Sequence, residues 1–308
     1  MFTFRYHLVS LAAVFVALAV GILIGAAISG KLSEAEDRLT QDRIQSLNDQ
    51  LEAERGRSDI IERRSEAADE LVTAAYPALM EDRLEGRGFA VLFVGPVDSG
   101  MRSAVERTLA DAGAGGPVRL VALDTPIDPA ELDAALEDDE QLVKYSENGD
   151  DFGDLGEALG RELVEGKGTP LWSALSSELI EERSGSTSAD VDGVVVIRSW
   201  APPDDAGADE DAETHSTQTL FGGLMSGLDG TGLPVVGVET TTGAAADSAL
   251  PEYRREGLST VDDIDTFAGR LALALLLAGG QPGQYGVKDS ASDGVVPPVE
   301  SVTTTTGG

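Results

Sequence analysis

The chain has no cysteine, two histidines and four methionines among its 308 residues. The lack of cysteine excludes disulfide bonds, thiol catalysis and thiolate metal sites together, and it fits a secreted domain that needs no covalent cross-link. A soft metal ion such as copper(I) prefers cysteine and methionine, and no two methionines form an M-x-M or M-x-x-M pair. The residues alone therefore indicate no copper site, and no cofactor is evident.

Basic residues are also few, with 22 Lys and Arg against 55 Asp and Glu and a formal net charge of −33. Such a charge repels phosphate, which excludes nucleic acid as a natural partner and disfavours docking of the domain on anionic lipid. The acidity indicates a strongly solvated surface; the alternative is a surface that collects cations near a membrane.

The sequence also lacks the motifs of common catalytic sites, so we expect that the protein is not an enzyme. His7 and His215 stand apart from any G-x-S-x-G motif, and the turn "GPVDSGMR" lacks both glycine-rich nucleotide-binding patterns. An enzyme remains an alternative that a deep pocket with converging polar side chains would support. The acidic run before His215 fits a solvated loop, or a loose site for a hard cation, and consists of Asp204, Asp205, Asp209, Glu210, Asp211 and Glu213.

One long apolar run, "LVSLAAVFVALAVGILIGAAI" at residues 8–28, contains twelve Leu, Ile, Val or Phe and no charge. A membrane-spanning helix needs about 20 such residues, whereas the apolar part of a signal peptide has about 7–15. The run predicts a retained single-pass anchor; cleavage after Ala27-Ile28-Ser29 is the alternative. Arg5 precedes the run, so residues 1–7 are expected in the cytoplasm and the rest of the chain outside the cell membrane.

Small residues recur every four positions within this run, which lets two helix backbones approach closely in lipid. We therefore predict that the membrane helix packs against a second copy through Ala13, Ala17, Gly21 and Gly25.

The next segment, residues 29–85, is polar and has no proline before Pro77. Its apolar residues follow an interrupted spacing of three and four, with a five-residue step between Leu39 and Ile44. This pattern predicts a coiled-coil stalk in a homodimer; the alternative is one long helix folded against its own domain. The predicted core residues are Leu32, Leu39, Ile44, Leu47, Leu51 and Ile61.

From residue 86 to 286 strands alternate with helices. "FAVLFVGP" is typical of a strand buried on both faces, and further strands are predicted at 118–124, 191–200 and 233–240. Helices are predicted near 152–165, 170–182, 216–228 and 261–278. The pattern predicts an extracellular α/β domain with a parallel sheet between helices, a Rossmann- or flavodoxin-like three-layer fold. Residues 287–308 have little to bury and are expected to be disordered.

Several segments together resemble the actinobacterial copper-transport family (MctB-like proteins). They are "FRYHLVSLAAVFVALAVGILIG", "FAVLFVGP", "LPVVGVET", "STVDDIDTFAGRLALALLLAGG" and "GQYGVKDSASDGVVP", in the family's order over most of the chain. The resemblance implies copper efflux or tolerance at the cell envelope, with copper as the metal handled.

The resemblance assigns no functional residue, and the identity of any metal ligand stays unknown. Some relatives resemble envelope partners in cell separation, which implies the alternative of a non-catalytic scaffold that acts through another envelope protein. A single apolar helix does not enclose a pore unless several copies assemble.

Overall fold

The structure is a computed structural model, and it describes residues 3–146, 151–165, 168–200, 208–242 and 248–299. The chain divides into two units, Met1–Glu70 and Leu71–Gly308.

The first unit is helical. Helix α1 (Thr3–Met80) runs without interruption through the predicted anchor and most of the predicted stalk, with Pro77 in its last turn. In the part of the chain that the structure describes, no helix reaches the combination of length and apolar character that a membrane crossing requires. At two of the predicted helix-packing positions, Gly21 and Gly25, an added Cβ atom would meet no atom within 4 Å. Of the predicted coiled-coil residues, Leu32, Leu39 and Ile44 have side chains that lie outside the described ones.

The second unit contains a seven-stranded sheet in the order β3-β2-β1-β4-β5-β6-β7. The strands are β1 (Phe89–Val94), β2 (Arg119–Leu123), β3 (Ile180–Gly185), β4 (Gly193–Arg198), β5 (Val235–Val238), β6 (Ser259–Val261) and β7 (Gln284–Tyr285). The helices after α1 are α2 (Ser99–Asp111), α3 (Pro129–Asp138), α4 (Gly153–Val164), α5 (Pro170–Ala174), α6 (Ser176–Leu179), α7 (Ala208–Asp229), α8 (Leu250–Arg255) and α9 (Phe267–Leu277).

The α/β class is confirmed, but the prediction of a parallel sheet is wrong at one edge. Strand β3 pairs antiparallel with β2, and its first three residues were predicted as the end of the helix at 170–182. Its charged residues are typical of an edge strand, where they also block further pairing, and they look helical in sequence. Glu182 in β3 accepts a hydrogen bond from Arg102 Nη1 at 2.8 Å.

Both faces of the sheet are buried, as the run "FAVLFV" indicates. Ala90, Leu92 and Val94 face the core formed with α3, α4 and α7. Val91 and Phe93 point to the opposite side and face the core formed with α2, α9 and the end of α1. All six residues of β1 are buried. The central strands are therefore enclosed by helices on two sides.

Helices α4 and α7 approach each other through glycines that the sequence reasoning did not single out. A Cβ atom on Gly156 would lie 2.2 Å from the Leu220 carbonyl oxygen, and one on Gly223 would lie 2.0 Å from the Gly153 carbonyl oxygen. Such distances are far below van der Waals contact, so any side chain at Gly223 must push the two helices apart.

Two further boundaries differ from the predictions. The segment predicted as a helix from 261 to 278 begins with the end of strand β6, followed by a loop, and its helix starts only at Phe267. Residues 287–299, predicted as the start of a disordered tail, are described, and Val287 N donates to Asp262 Oδ1 at 2.8 Å. Residues 300–308 lie outside the described part.

Candidate functional site

In open α/β sheets, ligands bind beyond the carboxyl ends of the parallel strands, where the strand order reverses. Here the order reverses between β1 and β4. The backbone N–H groups of Ser199 and Trp200 both donate to the Val94 carbonyl oxygen, at 3.0 and 3.1 Å, and close this position. Asp98 Oδ1 accepts from Met101 N at 2.7 Å and caps α2, so a carboxylate already occupies the helix end that a phosphate would need.

Polar side chains instead collect beyond β5 and β6. Glu239 directly follows β5, and Asp262, Asp263 and Asp265 follow β6. We call these four residues the carboxylate cluster. Parallel strands bring them to one edge of the sheet, which is where sites of this fold class lie.

Glu239 joins three segments of the chain. Its carboxylate accepts from Ser248 Oγ at 2.9 Å and from Ala249 N at 2.6 Å, before α8. Lys288 Nζ donates to Glu239 Oε2 at 3.0 Å, and the Lys288 and Glu239 side chains are only 21% and 13% exposed. The ion pair therefore holds the segment after β7 against the end of β5.

The Asp262 carboxylate holds the same segment after β7 through two hydrogen bonds. It accepts from Val287 N at 2.8 Å and from Ser290 Oγ at 3.2 Å. Gly286 has a φ of +137°, and a Cβ atom there would lie 1.9 Å from Asp262 Oδ1, so this approach requires glycine.

Asp263 is fully buried, and burial raises its pKa from 3.8 to about 6, with the neighbouring Asp262 and Asp265 acting in the same direction. Thr266 Oγ1 donates to Asp263 Oδ2 at 2.9 Å and accepts from Gly269 N at 2.9 Å, which ties the cluster to the first turn of α9. Asp263 Oδ1 accepts no hydrogen bond from the described residues. Its other neighbour, Asp265, accepts from the backbone N–H of residue 241 at 2.8 Å.

A cavity of about 410 Å³ adjoins the cluster. It is lined by Thr241, Ser248, Leu250, Pro251, Arg254, Lys288, Asp289 and Ser290. Arg198 and Glu252, which do not line the cavity, form a further ion pair. Within the described ranges no three His, Asp or Glu side chains converge to hold a metal ion. The hydrogen bonds of the cluster instead hold the loops after β5, β6 and β7 together.

The methionines and the histidine of the described part lie on different elements. Met80 and Met225 are buried in cores on opposite faces of the sheet, Met101 is half-buried against the core that contains Met80, and His215 is exposed on α7. The predicted acidic run before His215 falls on residues 201–207, outside the described ones, and on the first turns of α7. Neither the sequence nor the described part of the structure thus indicates a copper site.

A second feature, which the sequence reasoning missed, is a groove of about 920 Å³ beside Tyr76, Arg107, Asp111, Phe267 and Arg270. The rings of Tyr76 and Phe267 meet edge to face at 5.1 Å between centroids. The Arg270 guanidinium lies 4.5 Å from the Phe267 centroid and 5.3 Å from that of Tyr76. Tyr76 Oη donates to Asp111 Oδ2 at 3.0 Å, and burial raises the Tyr76 pKa. These contacts are too distant in sequence for spacing to reveal them.

Comparison with known proteins decides the family. The family model described as copper transport outer membrane protein, MctB, matches residues 1–297. The chain belongs to the MctB family. Copper transporters MctB from Mycobacterium tuberculosis (strain H37Rv) and Mycobacterium bovis are each 28% identical to it over 327 residues, covering 94% of this chain and 98% of the relative.

Three of the segments that carry the MctB resemblance contact one another in the structure. "LPVVGVET" supplies β5 and Glu239, "STVDDIDTF" supplies β6 and the three aspartates, and "GQYGVKDS" supplies β7, Gly286 and Lys288. The three segments are far apart in sequence and meet in the carboxylate cluster. In this chain, the segments that carry the resemblance therefore include a set of contacts that hold the loops together.

Proposed function

We propose that this chain is a single-pass, membrane-anchored envelope protein that supports copper efflux or tolerance. The family description and the names of its relatives support the link to copper. The charge-free run at 8–28, preceded by Arg5, supports an anchor with the N-terminus in the cytoplasm and the α/β domain outside.

The proposed mode of action is contact with other proteins, without catalysis and without a copper site of the chain's own. The observation that carries it is the placement of the methionines, two of which are buried on opposite faces of the sheet. Copper(I) prefers soft ligands such as cysteine and methionine, and two methionines on opposite faces of the sheet do not hold one ion together. The chain acts as a homodimer through its anchor and stalk, and copper is the cargo of the wider system.

Two measurements test this proposal together. Deletion of the gene is expected to raise the copper content of the cells, and the full chain is expected to restore it. The purified full chain in detergent, titrated with copper(I) against a chelator, is expected to compete weakly. An unchanged copper content in the deletion strain contradicts the link to copper, and tight binding of one ion per chain contradicts the mode of action.

A second candidate is a scaffold in envelope assembly or cell separation that acts through a protein partner. The groove beside Tyr76 and Phe267 supports it, because Phe267 is 38% exposed and stacks on a cation, as side chains at protein interfaces do. In-cell crosslinking of the full chain distinguishes the two. Capture of a division or cell-wall protein, with defective separation and normal copper content after deletion, favours the scaffold.

A further inference from the structure

Three exposed apolar side chains between residues 47 and 61 of α1 follow one seam, while Ile60, which is 47% exposed, lies off it. Leu47, Leu51 and Ile61 are 58%, 53% and 67% exposed. The alternating steps of three and four place Leu51 at heptad position a and Leu47 and Ile61 at position d. In a two-stranded coiled coil these positions are covered by the second helix.

The middle of the seam is polar. Glu54 falls at position d and Ser58 at position a. Arg57 Nη1 donates to Glu54 Oε1 at 2.7 Å, while the two side chains remain 71% and 69% exposed. A carboxylate in a seam is costly beside an apolar layer, so Glu54 disfavours any register that sets it against Leu47 or Ile61 of another helix. In register Glu54 faces Glu54 of the second helix, and Arg57, which is paired with the carboxylate on each chain, offsets the repulsion between the two.

The charges beside the seam discriminate between orientations. In a parallel, in-register pair, a residue at d packs beside position e of the other helix, which brings Glu54 next to Arg55. A residue at g meets the e position five residues later, which brings Arg57 next to Glu62. In an antiparallel pair g faces g and e faces e. The e row holds charges of both signs, but the g row holds no acid and repels itself, which disfavours this orientation; its residues are Arg43, Gln50, Arg57 and Arg64.

We propose that α1 pairs with the α1 of a second copy in parallel and in register, with Glu54 and Arg57 of each chain facing Arg55 and Glu62 of the other. This inference rests on the homodimer of the proposed function, in which two anchors in one membrane require parallel helices, and it adds the register. The charged layer selects the register, while the apolar layers of Leu47, Leu51 and Ile61 supply the buried surface.

Single cysteines test the geometry directly, because the natural chain has none. Ser58→Cys and Ser65→Cys lie on the seam, and Gly56→Cys and Arg63→Cys lie at position f on the opposite side. After mild oxidation of the full chain in detergent, we expect both seam variants to form disulfide-linked dimers. The yield of linked dimer should be at least about tenfold lower for the two control variants. Crosslinking at only one seam position indicates an antiparallel pair and overturns the inference, as does equal crosslinking at all four.

Charge reversal tests the register by a second measurement. Arg57→Glu and Glu62→Arg are each expected to raise the dimer dissociation constant about three- to tenfold, and the double variant to recover most of the affinity. Glu66→Arg, at position b, is the control. If light scattering finds the natural chain monomeric, the homodimer itself fails; if the chain is dimeric but reversal has no effect, only the proposed register fails.

Discussion

The helix up to Glu70 and the α/β domain from Leu71 place their apolar residues in opposite ways. Phe93 and Val196 in the sheet are 0% exposed, whereas Leu23 and Ile61 in the helix are 70% and 67% exposed. Full burial of one such side chain contributes about 1.5–3 kcal/mol. The domain obtains this stabilisation within one chain, and we expect the helix to obtain it from lipid along residues 8–28 and from a second copy further on.

The domain side of this comparison is tested most strongly at the α4–α7 contact. Gly223→Leu should destabilise the domain by about 3 kcal/mol, the upper end for overpacking, because the new Cβ atom would lie 2.0 Å from the Gly153 carbonyl oxygen. Gly222→Ala, with no atom within 4 Å of its Cβ, is the control and should be neutral or slightly stabilising. Denaturant unfolding measures both; equal effects would show that the close approach does not limit the packing.

The proposed membrane anchor is tested by a charge placed within residues 8–28. Leu18→Arg should weaken insertion by about 3 kcal/mol and release part of the chain from the membrane fraction. Gln45→Arg adds the same charge beyond the proposed anchor and should leave the distribution unchanged. Carbonate extraction of membranes measures retention, and full retention of both variants would contradict the anchor.

The last of these tests concerns the buried Asp263. Its pKa is raised from 3.8 to about 6, so the folded state binds the proton more tightly than the unfolded state. This contribution to stability is complete below pH 3.8 and is lost as the pH rises through about 6, by up to about 3 kcal/mol in the limit of full burial. Asp263→Asn should flatten the stability profile between about pH 4 and 7, and Asp138→Asn, at an exposed residue of α3, should not. Parallel profiles for the natural chain and Asp263→Asn would contradict the raised pKa.

Sequence reasoning recovered the features that depend on local pattern. The buried strands β1, β2, β4 and β5 follow from continuous apolar runs between turns, and the long helix follows from a segment without proline before Pro77. Strand β6 has only three residues and precedes α9 closely, so its segment resembled one helix. Strand β3 is charged because it lies at an edge, which hid it among helix-forming residues.

The candidate site was less accessible to such reasoning. Glu239, Asp262 and Lys288 are three charged residues among many in a chain of net charge −33, and nothing in their spacing distinguishes them from a solvated surface. Only the pairing of β5 with β6 and of β6 with β7 brings them together. The groove beside Tyr76 was missed for the same reason, since its partners lie on α1, α2 and α9.

The central claim is that the chain supports copper handling as a dimer acting through contacts, and one complementation experiment tests it most directly. A deletion strain carries the natural chain, the seam variant Leu47→Glu/Leu51→Glu, or the matched off-seam variant Ser46→Glu/Ala53→Glu, and cell copper is measured at equal expression. We predict that the seam variant leaves copper as high as in the deletion strain, whereas the off-seam variant restores it. Full restoration by the seam variant would contradict the account.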